Sequence, residues 1–438
     1  MTKFQAIVIA IFLVFIIIGV AVFATYKGGS STKALPTIEV WGTFPSATFA
    51  QLLQNINLTR SESIRINYVQ KAPEQFTKDF IETLARGKGP DAVLLPQELL
   101  LKHIDKVITI PATILPERTF KDTYVQQAEE YISSNGILAL PFTIDPLVMY
   151  WNRDMFTNAG IPTYPKFWDE FGSIGKYLTI KDENSNIRKS ALALGEFRNV
   201  THAREVFGAL LMQAGNPVVT VTSQTTSDGV VDVAESALAN GSIRGQDSSN
   251  AALNFFIKFS NPADTDYSWN RSLSQSQSSF LSGNLATYFG FASELTGMRT
   301  KNPNLNFDVA PFPQARKGQN RVTYGTMYGL SIVRSAADPT TTFSILSNLI
   351  PPESQTFLSK TTYLPPVRRD LIALGNADPY LANFYDSALI SRGWLDPDAQ
   401  NTSAILQEMV ESVTSGRKTN FEAIKDADTK LNSLIRSI

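Results

Sequence analysis

Between Ile38 and Leu95 short apolar runs alternate with amphipathic stretches, and this alternation restricts the fold more than any other feature of the chain. Ile38 to Gly42 reads as a short buried strand. Phe49, Leu52, Leu53 and Ile56 then recur at i, i+3, i+4 and i+7, which makes one apolar helix face. Ile64, Ile66 and Tyr68 alternate as a half-buried strand. Pro73 suits a first helical turn, and Phe76, Phe80, Ile81 and Leu84 carry that helix to a terminating Gly87. Asp91 to Leu95 closes the series as a fully buried strand. A β-α-β-α-β order needs a parallel sheet with helices on its faces.

The same grammar continues downstream. Leu147 to Trp151 reads as a strand, and Arg153 to Ala159 as a short helix stopped by Gly160 and Pro162. Ala203, Val206, Phe207, Leu210, Leu211 and Ala214 form a helix face that ends at Gly215. Asp338-Pro339 offers an N-cap followed by Pro at the first helical position. Thr419-x-x-Glu422 is a capping box for a helix burying Ile424, Ala427, Leu431 and Leu434. The Ser- and Thr-rich stretches at 220–228 and 272–279 read as surface excursions, because periodic segments resume after each. The expected architecture is α/β, in two lobes.

Ahead of this region stands an uncharged run from Ala6 to Ala24 with no polar stripe. At roughly 1.5 Å per residue, such a helix nearly matches a hydrocarbon core of about 30 Å. Residues 1–27 therefore read as an N-terminal transmembrane anchor or a cleaved signal segment, and 28–36 as a flexible tether. The expected location is the cell membrane, with the globular part on the extracytoplasmic side.

Composition removes several function classes. The 438 residues include no Cys and only His103 and His202, so thiol nucleophiles, Cys-ligated zinc and multi-histidine metal sites are excluded. A net charge of −1 gives no electrostatic footprint for nucleic acid. No phosphate-binding glycine loop, dinucleotide fingerprint or nucleophile elbow is present. Asp182-x-Asn184-x-Asn186 starts like a calcium loop but has Ile187 and Ala193 where Gly and Glu are required, and reads as a polar turn. His103, among Leu101, Ile104 and Val107, reads as a surface or packing residue, and His202 as a polar residue at a helix start. No cofactor, metal or catalytic residue is expected. What remains is aromatic surface: 27 Phe, 14 Tyr and 5 Trp.

Five collinear segments resemble the solute-binding proteins of ABC importers, in the family that includes maltodextrin-binding proteins. They are Gly89-Pro90-Asp91 with its strand; Leu140-Pro141-Phe142 through Tyr150-Trp151-Asn152-Arg153-Asp154 to Pro165-x-x-Trp168-Asp169-Glu170; Phe280-x-x-Gly283-Asn284 through Val309-Ala310-Pro311-Phe312; Tyr328-Gly329-Leu330-Ser331-Ile332; and Ser415-Gly416-Arg417 with Phe421-Glu422-Ala423. The resemblance implies a periplasmic-binding-protein-like fold whose two α/β lobes are joined by three hinge crossings. These are placed near Thr143–Asp145, Tyr324–Tyr328 and Leu364–Pro366. The N-lobe would comprise 37–143 plus 328–362 and the C-lobe 145–323 plus 364–438.

It further implies a binder rather than an enzyme, which captures a small solute, foremost a carbohydrate, and hands it to an ABC permease as a monomer. A sensing protein without a transporter and an exported two-carboxylate glycosidase are the alternatives. Sugar rings have apolar faces and polar rims, so aromatic residues with carboxylates, amides and Arg suit them. The family pattern points to Trp41, Thr43 and Phe44 after the first strand, Gln97 after the Gly-Pro-Asp strand, and Asp145 at a crossing. Arg198, Asn199 and His202 follow at a helix start, with Phe291, Tyr363 and, on weaker grounds, Trp394. Trp151, Trp168 and Trp269 read as packing. Leu95 and Asn401-Thr402-Ser403 stand where maltodextrin binders carry aromatics, which argues against a long maltodextrin and leaves a shorter saccharide or another polar small molecule.

Overall fold

The structure is a computed structural model, and it describes residues 36–59, 64–226, 229–239, 242–243, 246–316 and 320–438. The alternation near the N-terminus folds as its periodicity requires. Strand β1 (Thr37–Gly42) is followed by helix α1 (Ser46–Thr59), strand β2 (Arg65–Gln70), helix α2 (Pro73–Ala85) and strand β3 (Ala92–Pro96). Strand β1 runs parallel to both β2 and β3. Helix α1 buries Phe49, Leu52 and Ile56, while α2 begins with Pro73 at its first position and is followed by Gly87 at φ 67°. Only glycine takes that left-handed conformation without strain, so the helix stops there.

Two long strands dominate the centre of the molecule. Strand β4 (Leu140–Asn152) is continuous through the two segments that sequence separates, and β9 (Thr323–Val333) lies antiparallel to it. Between them in the chain come β5 (Ile180–Lys181), β6 (Ile187–Leu192), helix α3 (Ala203–Gln213), β7 (Leu285–Phe291) and β8 (Phe307–Ala310). The main path of the sheet runs β2-β1-β3-β9-β4-β7-β6-β5.

Each long strand serves both lobes. Tyr328–Ile332 of β9 pair with β3, whereas Gly325–Tyr328 pair with Thr143–Pro146 of β4. The later part of β4, Leu147–Trp151, pairs with β7. The register slips between Tyr328 and Gly329, a bulge that bends the sheet where one lobe passes into the other. Gln97 and Gln127 donate to the Gly325 carbonyl, and the Gln97 amide oxygen accepts from the Met327 N–H, so the hinge backbone is tied on both sides.

The expected third crossing, Leu364–Pro366, lies against the backbone of the 124–125 segment. Beyond Leu364–Pro366 the Val367 carbonyl still accepts from Val125, and Arg369 still donates to the Tyr124 carbonyl. Further along, Asn383 of the helix Pro379–Leu389 donates to the Val309 carbonyl of the second lobe. Pro365 and Pro366 fix backbone angles without supplying N–H donors, so this segment is rigid.

The Ser- and Thr-rich stretch contributes Val219–Thr226 to an antiparallel pair with Gly229–Ser236, most of it exposed. Helices α4 (Ala399–Thr414) and α5 (Asn420–Ile435) end the chain, and the Thr419–Glu422 capping box forms with both of its reciprocal bonds. Among the described residues no helix is long and apolar enough to cross a membrane. The Ala6–Ala24 run lies outside the described residues.

Candidate functional site at the hinge

The site begins with strand geometry. Alternate residues of a strand share a face, so Tyr324, Thr326 and Tyr328 project together from β9. Directly paired residues also share a face, which adds Asp145 opposite Thr326 and Thr143 opposite Tyr328. Loops from both lobes converge on this face.

From the first lobe, Phe44 sets its ring edge-on to Tyr328 and Phe142, with centroids 5.5 and 5.4 Å apart. The Tyr68 hydroxyl donates to the Phe44 carbonyl at 2.7 Å and holds the loop. The buried Thr43 side chain meets the Tyr328 hydroxyl. Glu98 follows β3 and accepts from the Tyr324 hydroxyl.

The second lobe contributes the start of α3, the end of β7 and the 394–398 loop. His202, at φ 60°, precedes α3 and hydrogen-bonds Glu294 at 2.6 Å. The Phe291 ring lies 4.8 Å from that imidazole and 6.2 Å from Tyr324. Tyr324 in turn packs edge-on against Trp394, at 5.2 Å. Arg204 bridges the groups: its guanidinium reaches Glu98 at 2.7 Å, Asp396 at 2.9 Å and Glu205 at 2.8 Å. Trp394 donates to Asp396 at 3.0 Å, and the Ser293 N–H donates to Asp145 at 3.1 Å.

Electrostatics follow from burial and pairing. Burial pushes the Asp145 carboxyl up to about 7 against the hydrogen bonding from Ser293. Burial also opposes the charge on His202, but the bond to Glu294 outweighs it and holds the imidazole above its ordinary value. Among the described residues Asp145 makes no ion pair. The arrangement offers aromatic faces beside a dense set of acceptors and few cations, which suits a polyhydroxylated solute rather than bond cleavage.

The expected site residues divide. Phe44, Thr43, Asp145, His202, Phe291 and Trp394 gather around the hinge face. Gln97 is fully buried and bonded to hinge backbone, a positioning role. Trp41 gives its indole N–H to Glu39 at 2.6 Å, and Lys71 covers its ring. Arg198 forms a two-point ion pair with Glu411 on the lobe surface. Asn199 is structural: it accepts from the Trp269 indole and donates to the carbonyls of Asn270 and Leu273. Tyr363 ends the helix Pro352–Thr362 at φ 59° and is 39% exposed. Sequence reasoning missed Glu98, Arg204, Glu294, Tyr324 and Tyr328 as site residues. The Tyr-x-Thr-x-Tyr alternation at 324–328 was the available signal.

A two-lobed α/β fold pivoting on two shared strands, with polar and aromatic groups gathered at the pivot, defines a hinged binding protein. The chain belongs to the bacterial extracellular solute-binding protein family, whose profile matches residues 54–383. That family consists of binding proteins, not enzymes. No functionally curated protein matches in sequence. Among solved structures, the chain is similar to a cyclo/maltodextrin-binding protein complexed with maltotetraose, with a TM-score of 0.70 and 16% identity over 92% of this chain and 98% of that one. The sugar-binding protein MalE from Xanthomonas citri has the same TM-score, 0.70, at 16% identity, with 92% and 98% covered. An ABC transporter solute-binding protein from Thermotoga lettingae bound with α-D-tagatose follows, with a TM-score of 0.63 and 16% identity over 91% and 99%. At these identities the likeness defines the fold.

Proposed function

We propose that this protein captures a small carbohydrate between its lobes and delivers it to an ABC permease, as a monomer held at the extracytoplasmic face of the cell membrane by its N-terminal segment. The observation that carries the reading is the joint contribution of both lobes to one polar and aromatic cluster. Glu98 and Phe44 come from one lobe, and Arg204, His202 and Phe291 from the other. A ligand contacting both sets is held only in the closed state and shifts the population toward it. Two of the similar solved proteins carry maltotetraose and tagatose, which supports a saccharide of modest size.

The test is a titration of mono-, di- and trisaccharides against the purified chain, followed by Trp fluorescence and melting temperature. Saturable shifts with a saccharide support the reading, and a flat response across the panel sinks it. Stimulated ATP hydrolysis by a co-reconstituted permease tests the transport partnership. Release of the full-length protein by osmotic shock without detergent would overturn the membrane anchor.

A further inference from the structure

Away from the hinge, the second lobe holds a cavity of about 250 Å³ between the helix Glu170–Leu178, strand β6 and the 259–268 segment. It shares no residue with the hinge cluster. Its floor is apolar, formed by Phe171, Leu192 and Phe259. Its rim carries Lys176 and Lys181, whose ammonium groups lie over the Tyr177 and Tyr267 rings at 4.9 and 4.7 Å.

Two independent features point to an occupant. The first is Gly175, which lines the cavity from inside the helix, where glycine weakens a helix relative to alanine. A Cβ there would meet nothing nearer than Ala191 at 3.9 Å, so packing does not call for glycine, and its effect is to keep the space open. The second is charge. Among the described residues neither Lys176 nor Lys181 forms an ion pair, because the neighbouring carboxylates are committed elsewhere. Asp182 is held by Arg188 at 2.8 Å, and Asp266, which also lines the cavity, by Lys258 at 2.5 Å. Thr179 completes the rim: its Oγ1 accepts the Ala191 N–H at 3.2 Å and keeps its own hydroxyl proton to donate. Two cations and a hydroxyl donor therefore stand above an apolar floor, a combination complementary to a molecule that is apolar at one end and anionic at the other.

We propose that this cavity is a second ligand site, for a small amphiphilic carboxylate. An aromatic or short aliphatic body rests on Phe171 and Phe259, and the carboxylate lies among Lys176, Lys181 and the Thr179 hydroxyl. The volume falls below the roughly 300–1,000 Å³ of pockets for drug-sized molecules, so the ligand is a small one. The site is separate from the hinge and does not depend on the carbohydrate reading.

The experiment is calorimetric titration of the full-length, detergent-solubilised protein with benzoate and hexanoate. Benzamide and hexanamide serve as neutral counterparts, and acetate as the charge without the apolar body. Binding of each carboxylate at least about fivefold tighter than its amide, and tighter than acetate, supports the proposal. Gly175→Leu fills the cavity and should abolish binding. The double variant Lys176→Met/Lys181→Met leaves the floor intact and should bring carboxylate and amide to equal affinity, so the proposal stays testable should the leucine disturb the helix. No binding at millimolar concentration, equal binding of carboxylate and amide, or acetate matching benzoate overturns the proposal. Full retention of binding in a folded Gly175→Leu, or of the carboxylate preference in the double variant, overturns it as well.

Discussion

Arg204 and Glu98 meet across the hinge, with Nη2 2.7 Å from Oε1, although one opens α3 in the second lobe and the other follows β3 in the first. The contact joins the two lobes directly, so its loss should weaken their association. Glu98→Gln removes the charge while Arg204 keeps Glu205 and Asp396. The expected outcome is a weaker apparent ligand affinity, on the order of tenfold, because more binding free energy is spent on closing. Titration gives the affinity, and small-angle scattering of the unliganded protein gives the larger radius of gyration expected of an opener ensemble.

Removing the other partner is a harsher change. Asp396 is fully buried and depends on Arg204 for its counter-charge, with help from Thr402 and Trp394. Arg204→Leu strands that carboxylate, and breaking a buried pair from one side costs about 3–5 kcal/mol. Chemical denaturation should show this loss. The double variant Arg204→Leu/Asp396→Leu should recover part of it, since it leaves no lone charge at Asp396.

Stability of the unliganded protein should fall as pH rises from mildly acidic to alkaline. Burial raises Asp145 from its ordinary 3.8 to about 7, so the folded state binds the extra proton and loses that advantage as pH climbs through this window. Glu130 behaves alike: burial, opposed by the Gly393 N–H, moves it from 4.5 to about 8. His202 adds to the trend, because a raised imidazole stabilises below its ordinary value and ceases to do so above its folded one. Its partner Glu294 is held low and withdraws its contribution only on strong acidification. Melting temperatures across this range should therefore decline toward alkaline pH, and Glu130→Gln should flatten the slope. A rising profile contradicts these assignments.

Gly208 lies under the Trp394 ring, and a Cβ there would sit 2.6 Å from Cζ3. Gly208→Ala must displace the indole and, through it, Tyr324. A cost of about 1–3 kcal/mol in stability is expected from overpacking. Trp fluorescence should report the altered Trp394 environment, together with weaker ligand binding.

Arg198 and Asn199 are neighbours with opposite fates. Arg198→Ala loses a surface pair with Glu411 and should leave ligand affinity within about twofold. Asn199→Ala removes three bonds that fix Trp269 and the 270–273 turn. Each such buried group left unpaired costs about 1–3 kcal/mol, so denaturation should show clear destabilisation.

Local order was legible in the residues themselves. Hydrophobic spacing placed α1, α2 and α3, Gly87 and Gly160 ended their helices at positive φ, and Asp338 and Thr419 capped theirs as their side chains allow. These outcomes depend on neighbours within a few positions, whose physics a linear pattern records. Fold class also followed, because strand–helix alternation leaves few ways to bury both kinds of apolar face.

The site belongs to the other category. Trp41 near the end of β1 and Phe44 just after it are three residues apart, yet Glu39 and Lys71 take up the first while Tyr328 receives the second. Glu98, Arg204 and Asp396 are separated by about a hundred residues or more in sequence, and only the packing of the two lobes over β4 and β9 makes them one charge network. Nothing local distinguishes Arg204 from Arg198 on the same approach to α3. Which of them faces the hinge is decided by the direction of the helix start and by carboxylates that arrive from distant loops, and that is a property of the packed structure alone.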